Sequence, residues 1–424
     1  MTKSNWRYLI LSAGILLSVN VLPGCDAPDA DSWYKGNLHT HSFWSDGDDF
    51  PEVIAEWYRE AGYDFLAISD HNTVASDERW LNIATDHPRF ATYQKYLASS
   101  PEGWVESIET DDSVLVRLKT YQEYSERFQS PGEFLMIPAE EVTSRFERKP
   151  IHVNASNVAE YIAPQTGSSV VDVMQKSVNA ILEQGERLNR AVMPHINHPN
   201  FGWAIRADEL AQVEGERFFE VYNGHPSVHN EGDSLRMSME RMWDVVNVIR
   251  LSEGLPMMLG IGVDDAHHYQ EQAVSKANTG RGWVMVQSKG LSAEELISSM
   301  EEGRFYASSG VLLNSVVSDG GTISVEVEAS EGVSYVIEFI GTRSATSSDP
   351  LSISRSEDGE VQTMHYSSDI GQVLQHSEGS SAHYTFQGDE LYVRARITST
   401  VVKDNPNYNA EYERAWTQPI RPIR

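Results

Sequence analysis

Phe65-Leu66-Ala67-Ile68-Ser69-Asp70-His71-Asn72 is a short apolar run that ends in an acid–imidazole pair. The run reads as a buried strand. An Asp-His pair at its end is costly to bury without partners, so the strand delivers polar groups to a place that uses them. Before it, Pro51–Ala61 has a helical pattern, with Pro at an N1-like position and Gly62 as the stop. Outward from this unit the texture repeats. Apolar runs recur at Phe134–Ile137, Ala191–Met193, Phe218–Tyr222 and Met257–Val263. Helical spacing falls over Val170–Gln184, Ser234–Arg250 and Ala293–Glu302. This alternation predicts an α/β fold with mainly parallel strands over residues 33–310. Residues 73–132 are long for a connection and read as an insertion, a candidate lid.

After Gly310 helical periodicity disappears and Ser, Thr, Val and Gly dominate. Val311–Val316, Thr322–Val327, Ser334–Phe339, His383–Phe386 and Leu391–Ile397 read as strands, most with period-two alternation. Residues 311–424 are expected to form a small all-β, sandwich-like domain.

The chain has 424 residues, 62 Asp+Glu against 33 Lys+Arg, and a formal net charge of −29. That charge disfavours a grip on polymeric nucleic acid, which rests on neutralised phosphates, but leaves a small anionic substrate open if bound cations supply local positive charge. The one cysteine, Cys25, excludes an intrachain disulfide and a Cys-rich zinc module. Residues 1–24 read as a targeting segment: Lys3 and Arg7 precede the apolar stretch Tyr8–Leu22. The segment ends in Leu22-Pro23-Gly24-Cys25, which resembles a bacterial lipobox and implies lipidation of Cys25. Residues 25–32 then form a tether. The expected place is the cell envelope, lipid-anchored and facing the periplasm or the exterior.

Eleven of the 14 histidines fall between residues 39 and 268. Most stand at the C-terminal ends of apolar runs, where an α/β fold gathers its site. His39 and His41, at i and i+2, share one face of a strand. Asp46 precedes Gly47 on a turn that can bring its carboxylate back. Further polar groups are Asp70-His71, Glu140-Glu141, His152, His195-Ile196-Asn197-His198-Pro199 and Asp264-Asp265-Ala266-His267-His268. Templates for a P-loop, a nucleophile elbow and a dinucleotide fingerprint are all unfilled.

In this order the clusters resemble the PHP family, the polymerase-and-histidinol-phosphatase metal-dependent hydrolases. The matching elements are His39/His41, Ser45-Asp46-Gly47, Asp70-His71, Glu141, His152, His198-Pro199 and Asp265-Ala266-His267. The resemblance covers about residues 34–310. It implies a distorted (β/α)7 barrel with two to three divalent ions. His39, His41, Glu141 and Asp265 would hold one; Glu141, His152 and His198 a second; Asp46, His71 and His267 a third. Imidazole and carboxylate without thiolate suit Zn, Mn or Fe. Glu141 and Asp265 would be the central catalytic ligands of a metal-bridging hydroxide that attacks phosphorus. Arg145, Arg206 and Arg281 lie near these segments and are candidate phosphate contacts, as is Asn223. Glu220 is a further candidate at the pocket rim.

The expected activity is a phosphoesterase for a small phosphomonoester or nucleotide-like molecule. Two rivals stand beside it. One is a metal-dependent hydrolase of an amide or lactone, which needs no arginines in the pocket. The other is an envelope- or glycan-binding lipoprotein that has lost catalysis.

Overall fold

The computed structural model describes residues 31–423. The leader, the lipobox and most of the tether lie outside the described residues. The chain is a mixed α/β protein built on one long sheet, flanked by smaller antiparallel sheets.

Seven strands carry the polar clusters. They are β1 (Ser32–Asn37), β2 (Phe65–Ile68), β3 (Leu135–Phe146), β4 (Lys149–Ser156), β5 (Met193–Ile196), β6 (Phe218–Asn223) and β7 (Leu259–Val263). They lie side by side in the order β7-β6-β5-β4-β3-β2-β1. Pairs β1/β2, β2/β3, β5/β6 and β6/β7 are parallel. The β3/β4 pair is antiparallel, because Glu147-Arg148 leaves room for a hairpin and none for a crossover, and β4, so reversed, also runs antiparallel to β5. Just beyond β1 and β7 an isolated parallel bridge joins Thr40 to Ala266, so the chain segments that follow these two strands meet.

The bases of these strands are apolar. Leu38, Phe65, Ala67, Ile137, Ala139, Met193, Phe218 and Ile261 belong to one buried cluster. Gly36 belongs to that fit, since a Cβ there would lie 2.1 Å from the Phe65 ring. Helices pack on the outside. α1 (Pro51–Glu60) buries Ile54, Ala55 and Tyr58. α2 (Val170–Leu188) starts at Ser169, whose side chain accepts from the Asp172 N–H, and ends at Asn189 in the left-handed region. α3 begins later than the sequence pattern suggested: it spans Met239–Ser252, because Ser238 is its N-cap and Asp233 ties residues 233–236 into a turn. α4 is Ala293–Glu301.

Residues 73–132 form a three-stranded antiparallel sheet with two helices, Arg89–Ser99 and Tyr121–Phe128. Tyr96 and Trp104 donate to the buried Glu52 of α1 at 2.6 and 3.0 Å, and their rings join the core around α1.

Beyond Gly310 the strands pair antiparallel. Leu313–Ser318, Thr322–Val327 and Ser381–Thr385 make one sheet. Tyr335–Arg343, Gln372–Glu378, Glu390–Val402 and Tyr412–Thr417 continue the long sheet, joined to it through Phe305–Ser308. Ile323, Val325, Ile337, Phe339, Val393 and Ile397 fill the space between the two. Charge also joins this part to α3. Arg394, 1% exposed, grips Asp244 through Nε at 3.0 Å and Nη2 at 2.7 Å, and Glu240 bridges Arg394 and Arg396. Asp244→Ala would leave a buried guanidinium short of its partner. The expected loss is about 3–5 kcal/mol of unfolding free energy in a denaturant titration.

Candidate metal centre

The polar groups begin where the apolar bases of the strands end. His39 and His41 follow β1 on one face. His71 and Glu141 meet in a parallel bridge between the chain after β2 and the middle of β3. His152 stands on β4 opposite Thr143. His198 and Asp265 follow β5 and β7 with φ of 23° and 49°, and Asn72 has 51°. Such left-handed backbone at non-glycine residues persists only where surrounding structure holds it, and it collects at functional sites. Asp46 is carried over His41 by a tight turn. A Cβ at Gly47 would lie 2.4 Å from the His41 carbonyl, so glycine is needed there. Asp70 holds the same turn, accepting from the Ser42 N–H and from the hydroxyls of Ser42 and Ser45 at 2.5–2.7 Å.

The nine histidine and carboxylate side chains anticipated from the sequence converge. His39 Nε2 and His41 Nε2 face each other at 3.1 Å. Asp265 Oδ1 lies 3.3 Å from both, and the Glu141 oxygens lie 3.5 and 3.4 Å from them. Glu141 Oε1 is also 2.9 Å from His152 Nδ1 and 3.4 Å from His198 Nε2. Asp46 Oδ1 is 3.6 Å from His71 Nε2, 3.3 Å from His267 Nε2 and 3.9 Å from His41 Nδ1. Among these side chains, His41/Asp46/His71/His267, His39/His41/Glu141, His39/His198/Asp265 and His71/Glu141/His152 each place their ligand atoms close enough together to hold a cation.

Two observations test the fit. With bonds of about 2.0–2.1 Å, tetrahedral ligand atoms sit about 3.3 Å apart, which is the spacing of the His39–His41–Asp265–Glu141 nest. In addition, Glu141 Oε2 is buried and accepts no aligned hydrogen bond among the described residues, although His71 Nδ1 is 2.5 Å away. Oε1 is held by Asn197 and His152, and Oε2 is the oxygen left for a cation. The residues fit a centre for divalent ions with imidazole and carboxylate ligands.

The protonation pattern follows from crowding. Burial pulls the His39 imidazole down, but Asp265, Glu220 and Glu141 hold it well above its usual value. Burial also opposes the charge on His71, yet Glu141 and Asp46 raise it to about 11. His41, enclosed and facing His267 and His71, falls to about 3. Burial would raise the Glu141 and Asp265 carboxyls; the surrounding imidazoles hold both well below the usual range.

Around the nests lies a supporting layer. Glu220 on β6 is fully buried and accepts from His39 Nδ1 at 2.6 Å, from the His198 backbone N–H at 2.7 Å and from Asn223 Nδ2 at 2.7 Å. His195 Nε2 is 3.3 Å from the same carboxylate. Asn197 Nδ2 donates to Glu141 Oε1 at 2.6 Å. Asn223 also donates to Asp265 Oδ2 at 3.0 Å, which makes it a support beneath the ligands as well as a rim residue. Glu220 had a signal in the sequence: a glutamate inside the apolar run Phe218–Tyr222 needs strong partners to be buried.

Two of the three candidate phosphate arginines are engaged with other protein groups. Arg281 is fully buried, and its guanidinium donates to the carbonyls of Gly224, Ala273 and Lys276 and to Asn405. Arg206 is paired with Asp208 and Glu209. Arg145 is exposed on β3, four residues beyond Glu141 on the same strand face. Asp264 binds Tyr58 and the backbone N–H groups of residues 280–282, a structural role.

No protein-family model and no curated protein matches the chain. Solved structures do. One is a two-domain protein from Bacteroides vulgatus ATCC 8482 containing a predicted PHP-like metal-dependent phosphoesterase, 14% identical over 93% of this chain and 97% of that one, with a TM-score of 0.41. A second, from Bifidobacterium adolescentis ATCC 15703, is described as a candidate metal-dependent phosphoesterase. It is 13% identical over 55% of this chain and 87% of that one, with a TM-score of 0.30. PsfC from Pseudomonas syringae PB-5123 is 12% identical over 63% and 87%, with a TM-score of 0.31.

Two outcomes are expected. Glu220→Gln removes the charge behind His39 and weakens metal binding by about 10- to 100-fold in a chelator competition. A cation at the His71 nitrogen must displace a proton that the neighbouring carboxylates retain up to about pH 11. Apparent affinity therefore rises with pH across the neutral range, about tenfold per unit for each proton displaced.

Proposed function

We propose that this protein is a metal-dependent hydrolase, a phosphoesterase acting on a small phosphomonoester or nucleotide-like substrate. The observation that carries the reading is the convergence of nine histidine, aspartate and glutamate side chains into adjoining nests, two of which share Glu141. We further assign His39, His41, Glu141 and Asp265 to one of two to three divalent ions. Glu141, His152 and His198 are assigned to a second, and Asp46, His71 and His267 to a third. In the same reading, β1 to β7 constitute a distorted seven-stranded barrel, residues 311–424 a sandwich-like domain, and Cys25 the lipid anchor that holds the chain to the cell envelope.

Divalent cations bound there supply Lewis acidity and an acidified water. The chain's own groups do the rest. Glu141 and Asp265 stay ionised and hold charge fixed at the centre. Glu220 keeps the His39 ring oriented. Asn223 holds the second oxygen of Asp265, and Phe201, packed on His198 at 5.0 Å, shields one side from water.

The engagement of Arg206 and Arg281 elsewhere favours a second reading, hydrolysis of an amide or lactone by the same centre. A substrate panel separates the two. The metal-loaded chain is expected to hydrolyse aryl phosphates and nucleoside monophosphates, to lose that activity on chelation and to regain it with Zn, Mn or Fe. His39→Ala and Asp265→Ala are expected to lower kcat/KM by more than about a hundredfold, beyond the loss for an outer partner. Turnover of lactones or amides alone would establish the second reading.

A further inference from the structure

We propose that His225 is the substrate-facing hydrogen-bond donor of this centre, presenting a neutral Nε2–H to an oxygen of the phosphoryl group. The proposal rests on the phosphoesterase reading and adds to it a residue outside the ligand set.

The first argument is position. The His225 ring stands edge-on to His267 at 5.3 Å between centroids and edge-on to Phe201 at 6.0 Å. Phe201 in turn packs on His198 at 5.0 Å and on His152 at 6.4 Å. His225 therefore lies at the rim between ligands from β4, β5 and β7, and it is half-buried there.

The second argument is the tautomer. His225 Nδ1 accepts the backbone N–H of Ser227 at 3.1 Å, so the ring proton resides on Nε2. Among the described residues that Nε2 has no hydrogen-bond partner, and the atom is not fully buried. A neutral imidazole held in one tautomer donates a hydrogen bond without transferring a proton, so no proton balance is disturbed.

The third argument is registration. The His225 backbone N–H donates to Asn223 Oδ1 at 2.7 Å, while the same amide's Nδ2 donates to Asp265 Oδ2 and Glu220 Oε2. One buried asparagine thus fixes the donor relative to the ligand carboxylate. The site also has need of a donor. Arg281 and Arg206 spend their guanidinium groups elsewhere, and phosphoryl oxygens turned away from the cations require N–H groups.

The test uses the full chain, metal-loaded, with His225→Phe and His225→Gln. Phe keeps a ring against Phe201 and His267 and removes the donor; Gln restores an N–H. Metal per chain is measured by elemental analysis, inorganic phosphate affinity by isothermal titration, and kcat/KM with p-nitrophenyl phosphate and phenyl phosphate. The expected result for Phe is wild-type metal content, with phosphate affinity and kcat/KM both lower by about 10- to 100-fold, the effect of one hydrogen bond to a charged acceptor. Gln is expected to recover part of both. A Phe variant equal to wild type in phosphate affinity and kcat/KM overturns the proposal while leaving the phosphoesterase reading intact. A Phe variant that loses metal also overturns it, because His225 would then belong to the metal framework. A wild-type chain that neither binds phosphate nor cleaves either ester overturns the phosphoesterase reading and this proposal with it.

Discussion

A single buried carboxylate organises the molecule. Glu141 is fully buried, yet His39, His41, His71, His152 and His198 all approach it within 3.5 Å, and Asn197 donates to it at 2.6 Å. An ionised carboxylate in such a place is tolerated only with compensating positive charge. Four strands, β1, β2, β4 and β5, must therefore bring their imidazoles to the carboxylate that β3 carries. The parallel bridge at His71–Glu141 and the bridge at Thr40–Ala266 are the backbone expression of that demand. The left-handed residues His198 and Asp265 show where the chain accepts local strain to meet it.

The C-terminal strands take part in the same arrangement. Asn407 Nδ2 donates to the Asn223 carbonyl at 3.2 Å, and Glu411 accepts from Tyr222 at 2.7 Å. Lys403 is nearly buried and donates to the Tyr222 hydroxyl and to the Arg281 carbonyl; burial lowers its amine to about 8, against the pull of Glu411. Residues 403–411 thus buttress β6 and the loop after β7 from behind. Asn223, which holds Asp265 and Glu220, is set in place partly by a residue 184 positions further along.

Much of this was legible in the sequence because strand geometry is simple. Period two puts His39 and His41 on one face, and apolar runs that end in polar pairs mark where strands deliver their groups. The proximity of Asp46 followed from a turn that glycine alone allows. What the sequence did not display is how buried charge is shared in three dimensions. Glu220 looked like a rim residue and sits beneath His39. Arg281, adjacent to a site segment, serves as a buried clamp on backbone carbonyls, a role set by residues 224, 273, 276 and 405 from distant parts of the chain. The start of α3 shifted because a serine cap outweighs an apolar pattern. The internal sheet of residues 73–132 depends on long-range pairing that periodicity does not encode.

The central claim is that Glu141 is shared between cations. The most direct measurement is metal per chain by elemental analysis, for wild type and Glu141→Gln side by side after reconstitution with Zn, Mn or Fe. The account predicts two to three ions in wild type and one or fewer in the variant, with the variant still folded by circular dichroism. Fewer than one ion in wild type, or an unchanged count in a folded Glu141→Gln, would contradict it.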